Sequence, residues 1–322
     1  MDTRHLVDPD IRPWLDVWPT VTLTADNLAR HRDRVLPLPP IDTVGNTLQH
    51  RRVPGSGGAP DVPVRVYLPD DATRPLPAIV HMHGGGYVRG AAKDLEAVHR
   101  PLVKTLGCAL VSIDYRLAPE TPFPGAIDDC YAALAWTFHH ADALGIDPSR
   151  IGVMGESAGG GLAAALALLA RDRGEYPLAF QHLMYPMLDD RTCVRAPHPH
   201  AGEFVWHAAN NRFAWTSLLG HAPGLDGVSP YAAAARAERL DGLPLACTAS
   251  TSCPTRAYRR PRGASATTRC AASCTADRHR RRNEKGRPKP PLPFVDTTPD
   301  TLRTHPPAPA PSLPSARARC GS

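Results

Sequence analysis

The first 246 residues alternate between short apolar runs and longer amphipathic stretches. In residues 61–68 apolar and polar side chains alternate, which is the period of a half-buried β-strand. Further strands are predicted where short apolar runs occur, at residues 77–82, 108–113, 150–154, 180–185 and 243–248. The strands are therefore predicted to recur along the whole segment.

Helical patterns lie between these strands. Ile127, Tyr131, Leu134, Ala135 and Phe138 would share one helix face, and residues 162–173 form an Ala/Leu-rich run that ends at Gly174. Alternating strands and helices predict an α/β fold, in which a mainly parallel sheet has helices on both faces. In such sheets the reactive residues lie at the carboxyl ends of the strands.

Charge divides the chain into two parts. Residues 1–246 carry 22 Lys and Arg against 27 Asp and Glu, whereas residues 247–322 carry 15 against 4, so the overall net charge of +6 is the sum of −5 and +11. The basic segment is also rich in proline and poor in large apolar residues. Such a composition cannot offset its ordering entropy by apolar burial, and we expect this tail to be largely disordered.

A Gly-x-Ser-x-Gly motif follows the predicted strand at 150–154. Gly155 and Gly159 permit a tight turn from strand to helix, which lifts the hydroxyl of Ser157 above the sheet edge. The N-terminus of the next helix would then point at negative charge developing there. An ordinary serine in a glycine-rich turn is the alternative, but the strand–turn–helix context favours a nucleophile.

A second glycine motif follows the strand at 77–82. His83 precedes Gly84, Gly85 and Gly86, whose backbone N–H groups can point into a site without side chains in the way. A flexible loop, or a lone metal ligand at His83, would also fit the pattern. Since no second histidine or carboxylate lies at ligand spacing, no metal is expected.

Together these motifs resemble the hormone-sensitive-lipase-like branch of the α/β-hydrolase carboxylesterases. The resemblance rests on 83–87 and 155–159, and on four further stretches at 114–120, 122–130, 185–189 and 228–232. It implies an α/β-hydrolase core at 51–246, N-terminal cap helices at 1–50 and a cap insertion at about 195–220. Trp206, Phe213 and Trp215 would line the acyl pocket or pack in the core.

The resemblance also implies roles for individual residues. Ser157 would be the nucleophile, and the N–H groups of Gly85, Gly86 and Ala158 would form the oxyanion hole. His83 would brace the glycine loop together with Gly84, and it would not be the catalytic base. The resemblance implies a structural role at the strand-to-helix corner for three further residues, Asp114, Arg116 and Glu120.

The acid and base of a catalytic triad should follow Ser157 in this fold, in the order Asp or Glu and then His. The resemblance implies a Gly-x-x-Asp motif for the acid and a His-Gly pair for the base, and neither motif is found after residue 246. The triad acid and histidine are therefore unknown, and the last strands and helix of the fold are expected to be missing. No predicted strand positions Asp277, His279 or His305, and the earlier histidines belong to the cap region, namely His198, His200, His207 and His221.

An out-of-frame translation of a GC-rich gene would account for the tail, and a functional basic tail is the alternative. Residues 278–287 are basic enough to attract nucleic acid, but they lack aromatic residues for stacking on bases, so a nucleic-acid partner is not expected.

The longest apolar run, residues 162–170, is half the length of a membrane span, and no secretory signal is visible, so a cytoplasmic protein is expected. We expect the first four cysteines to be small buried apolar side chains: Cys108, Cys130, Cys193 and Cys247.

The function implied is hydrolysis of short-chain carboxylic esters through an acyl-enzyme, with no cofactor and a small-molecule ester as the partner. Without a triad acid and base, activity is expected to be impaired. Two alternatives stay open: a non-catalytic ligand-binding protein of the same fold, and a defective gene product. Self-association as a homo-oligomer also stays open.

Overall fold

The computed structural model describes residues 3–17, 20–33, 41–196 and 204–248. Their helices are α1 (Trp14–Val17), α2 (Leu28–Arg32), α3 (Glu96–Leu106), α4 (Gly125–His139), α5 (Ala141–Leu144), α6 (Ala158–Arg173) and α7 (Ala208–Leu219). Their strands are β1 (Asn46–Val53), β2 (Val62–Pro69), β3 (Leu76–Met82), β4 (Ala109–Ile113), β5 (Ile146–Glu156), β6 (Phe180–Met184) and β7 (Leu245–Thr248). Short 3₁₀ helices span Arg4–Leu6, Ser56–Gly58, Ala92–Leu95, Asp190–Cys193 and Ala234–Arg236.

The seven strands form one sheet in the order β1-β2-β4-β3-β5-β6-β7. The pairs β1/β2 and β2/β4 are antiparallel, and β4, β3, β5, β6 and β7 run parallel to one another. The predicted α/β fold with a mainly parallel sheet is confirmed. Because the parallel strands all end at one edge, the segments that follow β3 and β5 meet there.

Helices cover both faces of this sheet. The main core cluster joins apolar side chains of α4 and α6 to β3, β4 and β5, among them Leu134, Leu166, Val80, Val111 and Val153. A smaller cluster on the opposite face packs Val103 of α3 against side chains of β2, β3, β4 and β5, namely Tyr67, Ile79, Leu110 and Met154. None of the helices in the described residues is long and apolar enough to cross a bilayer.

Helix α6 explains the Ala/Leu-rich run. All of its residues from Ala158 to Ala170 are buried, so an apolar side chain is required in every direction around the helix. The helix ends at Gly174, whose left-handed backbone (φ 70°) lets its N–H donate to the carbonyl of Ala170.

Two expected boundaries differ from the structure. Strand β1 begins at Asn46 and crosses residue 50, which was the expected end of the N-terminal cap. Strand β5 begins at Ile146, four residues before the predicted run. The apolar pattern missed residues 147–149 because none of them is buried and they include Asp147 and Pro148. The basic tail, where the last strands and helix of the fold are expected to be missing, lies outside the described residues, and so does part of the expected cap insertion.

The cysteines in the described residues are not paired with one another. Cys108 and Cys130 are buried free thiols, and Cys193 is half-buried. Burial raises the pKa of the Cys108 thiol to about 11, so it stays protonated at neutral pH. The side chain of Cys247 lies outside the described residues.

Candidate active site

Ser157 occupies a sharp turn between β5 and α6. Its backbone has φ 54° and ψ −115°, a conformation that costs a residue with a side chain about 1–3 kcal/mol. Three hydrogen bonds hold it: its N–H donates to the carbonyl of Met184 (2.9 Å), and its carbonyl accepts from the N–H groups of Gly161 (3.0 Å) and Met187 (2.8 Å). Ser157 is half-buried, so part of the residue is accessible to solvent.

The glycines on either side of Ser157 are required by close backbone contacts. A β-carbon on Gly155 would lie 2.3 Å from the carbonyl oxygen of Gly159, and one on Gly159 would lie 2.1 Å from the carbonyl oxygen of Met82. The first turn of α6 therefore packs directly on the end of β3. This contact brings the loop after β3 to the elbow.

The glycine loop lies against Ser157. A β-carbon on Gly84 would be 3.1 Å from the carbonyl oxygen of Glu156 and 3.7 Å from Cβ of Ser157. Gly85 and Gly86 both have positive φ, 126° and 65°. Within the described part of the chain, the N–H groups of Gly85 and Gly86 donate no hydrogen bond. The loop that carries these two N–H groups contacts Ser157 through Gly84.

The amide of Ala158 is a third donor at this place. Ala158 is the first residue of α6, so its N–H has no acceptor in a preceding helical turn. The positive end of the helix dipole adds to the donor character of this end of the helix. The structure thus places the three expected oxyanion donors and Ser157 at one edge of the sheet.

His83 is buried beneath the glycine loop. Its Nδ1 lies 2.8 Å from the carbonyl oxygen of Gly84, its ring stacks on that of Tyr115 at 4.2 Å, and its own carbonyl accepts from the Tyr115 hydroxyl (2.7 Å). Burial lowers the pKa of His83, so the ring stays neutral and Nδ1 donates to Gly84. The role of a brace for the loop fits these contacts.

Aromatic residues of the expected cap lie on two sides of the loop. Trp206 and Phe213 pack on a small cluster formed by Leu23, Leu28, Val88 and Ala118. Trp206 also touches Gly86, since a β-carbon there would be 2.3 Å from Cη2 of the indole. Trp215 is buried in the main core and lies 5.3 Å from the ring of Tyr87, so the core alternative holds for this residue.

Known proteins share both the sequence and the fold of this chain. A family profile described as the alpha/beta hydrolase fold matches residues 79–260, which is more than half of the chain. The chain belongs to the α/β-hydrolase fold family. Together with esterases among its relatives, this finding confirms the resemblance to the hormone-sensitive-lipase-like carboxylesterase branch.

Carboxylesterase NlhH of Mycobacterium tuberculosis is 44% identical to this α/β-hydrolase over 185 residues, which are 57% of this chain and 58% of the relative. The solved structure titled bacterial heroin esterase has a TM-score of 0.69 and 38% identity, and the match covers 76% of this chain and 80% of the other. Esterase LipW from Mycobacterium marinum has a TM-score of 0.64, 29% identity and 77% coverage of both chains. The chain spans less than two thirds of the length of the curated relatives that it matches.

The structure does not bring a histidine to Ser157 within the described residues. His207 lies 3.4 Å from Thr22 Oγ1, and Nδ1 of His221 lies 2.9 Å from the carbonyl oxygen of Ala222. The other candidates for the acid and base lie outside the described residues: His198, His200, Asp277, His279 and His305. The acid and base of this α/β-hydrolase stay unassigned.

Three residues of the expected strand-to-helix corner make polar contacts. Asp114 accepts from the N–H of Ala92 (2.6 Å), and Arg116 donates to both carboxylate oxygens of Asp129 in α4. Glu120 differs, because it accepts both bonds from Arg32 at the end of α2 (2.8 Å each). Glu120 therefore ties the N-terminal segment of the chain to the core. Of the three residues, only Asp114 and Arg116 fix the corner.

Sequence reasoning missed the residue pair under the elbow. His81, in β3, lies 2.9 Å through its Nε2 from a carboxylate oxygen of Glu156, the residue before Ser157. Strand alternation places His81 on the face opposite to Val80 and Met82, but it does not indicate a partner for this side chain. No group of three or more His, Cys, Asp or Glu side chains in the described residues could hold a metal ion.

Proposed function

We propose that this chain is a serine carboxylic-ester hydrolase that acts on short-chain esters through an acyl-enzyme. The observation that carries the proposal is the arrangement at the sheet edge, where the strained Ser157 contacts the glycine loop at Gly84 and the next two N–H groups of that loop, of Gly85 and Gly86, donate no hydrogen bond within the described residues. The hydroxyl of Ser157 would attack the ester carbonyl, and the N–H groups of Gly85, Gly86 and Ala158 would stabilise the oxyanion. One such donor is worth roughly 2.7–4 kcal/mol in acyl transfer.

The relatives support the class of substrate. Carboxylesterase NlhH, arylesterase of Saccharolobus solfataricus and the heroin esterase are all named for ester hydrolysis. We expect short esters because the indole of Trp206 lies against Gly86 on one side of the site. An aromatic ring at this place limits the space beside the reacting carbonyl.

Turnover depends on a general base. A serine hydroxyl is a weak nucleophile at pH 7 unless a histidine accepts its proton. Since no described histidine contacts Ser157, we propose that this chain turns over far more slowly than an intact triad hydrolase. A protease site without its triad keeps about 10³–10⁴-fold acceleration over water, and this is the order of activity that we expect.

A fluorophosphonate probe tests the proposal directly, because it reacts with activated serines. We expect slow labelling, because no base for Ser157 is assigned. Ser157→Ala should abolish it and the control Ser149→Ala should leave it intact, since Ser149 is exposed and bonds to Asp147. Folded protein that is labelled equally well with and without Ser157 would overturn the assignment. Rapid turnover of p-nitrophenyl butyrate, abolished by Ser157→Ala, would instead show that a base is supplied.

A further inference from the structure

The residue before the nucleophile is held by a buried histidine on the neighbouring strand. Nε2 of His81 lies 2.9 Å and 3.1 Å from the two carboxylate oxygens of Glu156. The His81 side chain is fully buried and that of Glu156 is 14% exposed. Because an ionised carboxylate can only accept hydrogen bonds, Nε2 of His81 carries the proton and donates it.

The surroundings of His81 fix its orientation. Its Nδ1 lies 3.4 Å from Oγ of Ser112, and the ring of His99 packs edge-on against it at 4.4 Å. His99 is buried without a hydrogen-bond partner among the described residues, and burial lowers its pKa to about 2, so it stays uncharged. His99 therefore acts as packing, and the polar contacts of the His81 ring are those with Ser112 and Glu156.

Besides Tyr115, two titratable groups respond to the charge of Glu156. Burial lowers the pKa of His182 in β6, and the charge of Glu156 opposes this effect. Burial, with a smaller contribution from Glu156, raises the pKa of Tyr185. Both groups are therefore uncharged at neutral pH, and neither is a charged partner of the carboxylate.

The backbone at Ser157 needs support, since it is in a costly conformation. Hydrogen bonds to Met184 and Met187 hold it on the side of β6. We infer that Glu156 and His81 form a clamp that holds it on the side of β3 and so positions the hydroxyl of Ser157. Both are positioning residues, and the inference rests on the proposed function of Ser157 as the nucleophile.

Two substitutions at Glu156 separate the clamp from the charge. Glu156→Gln keeps an oxygen that accepts from His81, whereas Glu156→Ala removes it. We expect Glu156→Ala to slow fluorophosphonate labelling about tenfold to a hundredfold and to lower kcat with KM nearly unchanged, because a small displacement of a nucleophile has effects of this order. Glu156→Gln should restore most of the rate.

Glu96 provides a matched control. Glu96 begins α3, on the sheet face that this helix covers, and its side chain is 16% exposed. It pairs with Arg65 (2.9 Å) and Arg100 (2.8 Å), away from the elbow. Glu96→Ala should lower the midpoint of thermal unfolding as Glu156→Ala does, but leave labelling of the folded protein unchanged. Equal labelling of folded Glu156→Ala and Glu96→Ala would overturn the clamp.

A second measurement does not depend on reactivity. In protein labelled with ¹⁵N-histidine, NMR should show a protected Nε2–H signal of His81 that persists in Glu156→Gln and is lost in Glu156→Ala. A signal that is absent from the wild type, or indifferent to Glu156→Ala, overturns the clamp. If the signal behaves as expected and the wild type is not labelled at Ser157, the clamp exists and the proposed nucleophile fails.

Discussion

The indole of Trp206 rests on the backbone of Gly86, so closely that a β-carbon at residue 86 would stand 2.3 Å from Cη2 of the ring. Gly86 also has a left-handed backbone, with φ 65°. Two independent constraints therefore require glycine at this position of the loop. The contact couples the expected cap to the expected oxyanion site.

Gly86→Ala should slow labelling of Ser157 on the order of a hundredfold, because the displaced N–H would no longer point at the oxyanion. The double variant Gly86→Ala/Trp206→Ala should recover part of this loss, since it removes the collision and leaves only the backbone strain. Labelling rates of the three proteins test the coupling. A double variant no faster than Gly86→Ala would show that strain alone sets the loss.

Replacing Ser157 itself should reveal the strain at the elbow. Ser157→Gly should be more stable than Ser157→Ala by about 1 kcal/mol, because glycine adopts positive φ without the steric cost. Both variants should lose labelling. Urea unfolding followed by circular dichroism measures the difference, and equal free energies of unfolding would show that the turn is not strained.

Acid stability should depend on one buried ion pair. Asp190 is fully buried and accepts from Arg236 (2.8 Å) and from the N–H of Gly224 (2.6 Å). Burial alone raises the pKa of Asp190, but the bonds from Arg236 and Gly224 outweigh it, so the pKa lies below its ordinary value. A lowered folded-state pKa stabilises the fold above pH of about 4, and this contribution is lost as the pH falls through the folded pKa.

Asp190→Asn should therefore lower the free energy of unfolding at pH 7 by about 3–5 kcal/mol, since it leaves the Arg236 charge without its partner. The loss should shrink at acidic pH, where Asp190 is protonated in the parent protein. Asp241→Asn is the control, because Asp241 and its partner Arg239 are exposed. Urea titrations at several pH values measure both, and a loss independent of pH would contradict the assignment.

The N-terminal segment should loosen when Arg32 is replaced. Its guanidinium donates to both oxygens of Glu120 and to the carbonyls of Val88 (2.7 Å) and Ala118 (2.8 Å). Arg32→Lys cannot make this set of bonds, because an ammonium lacks the planar fork. Amide exchange around Leu28 should accelerate in Arg32→Lys, but not in the control Arg30→Ala, whose side chain is exposed on the same helix.

The central strands and α6 could be predicted from the sequence because their own residues are apolar. Strand β1 was missed, since it is an edge strand and only its two end residues, Asn46 and Val53, are buried. Helix α3 was missed too: Pro101 interrupts its pattern, and its buried residues include His99 and Arg100. In both cases partners distant in sequence stabilise an element whose own pattern is weak.

The site divides in the same way. Ser157 and the glycine loop could be predicted because each motif is local in sequence and needs its glycines for close backbone approach. The pair of His81 and Glu156 could not, since the two residues are 75 positions apart and meet only through the register of β3 with β5. The bond of Arg32 to Glu120 likewise depends on how α2 packs.

Helix α6 starts at Ala158 and is surrounded by protein over its first thirteen residues, so it has no face that can open to solvent while the sheet stays folded. Segments of this kind exchange their amide hydrogens only when the whole domain unfolds. The reactivity of Ser157 should then vanish in step with global unfolding rather than through local fraying. The fraction of protein labelled at Ser157 by a fluorophosphonate would therefore report the fraction that is folded.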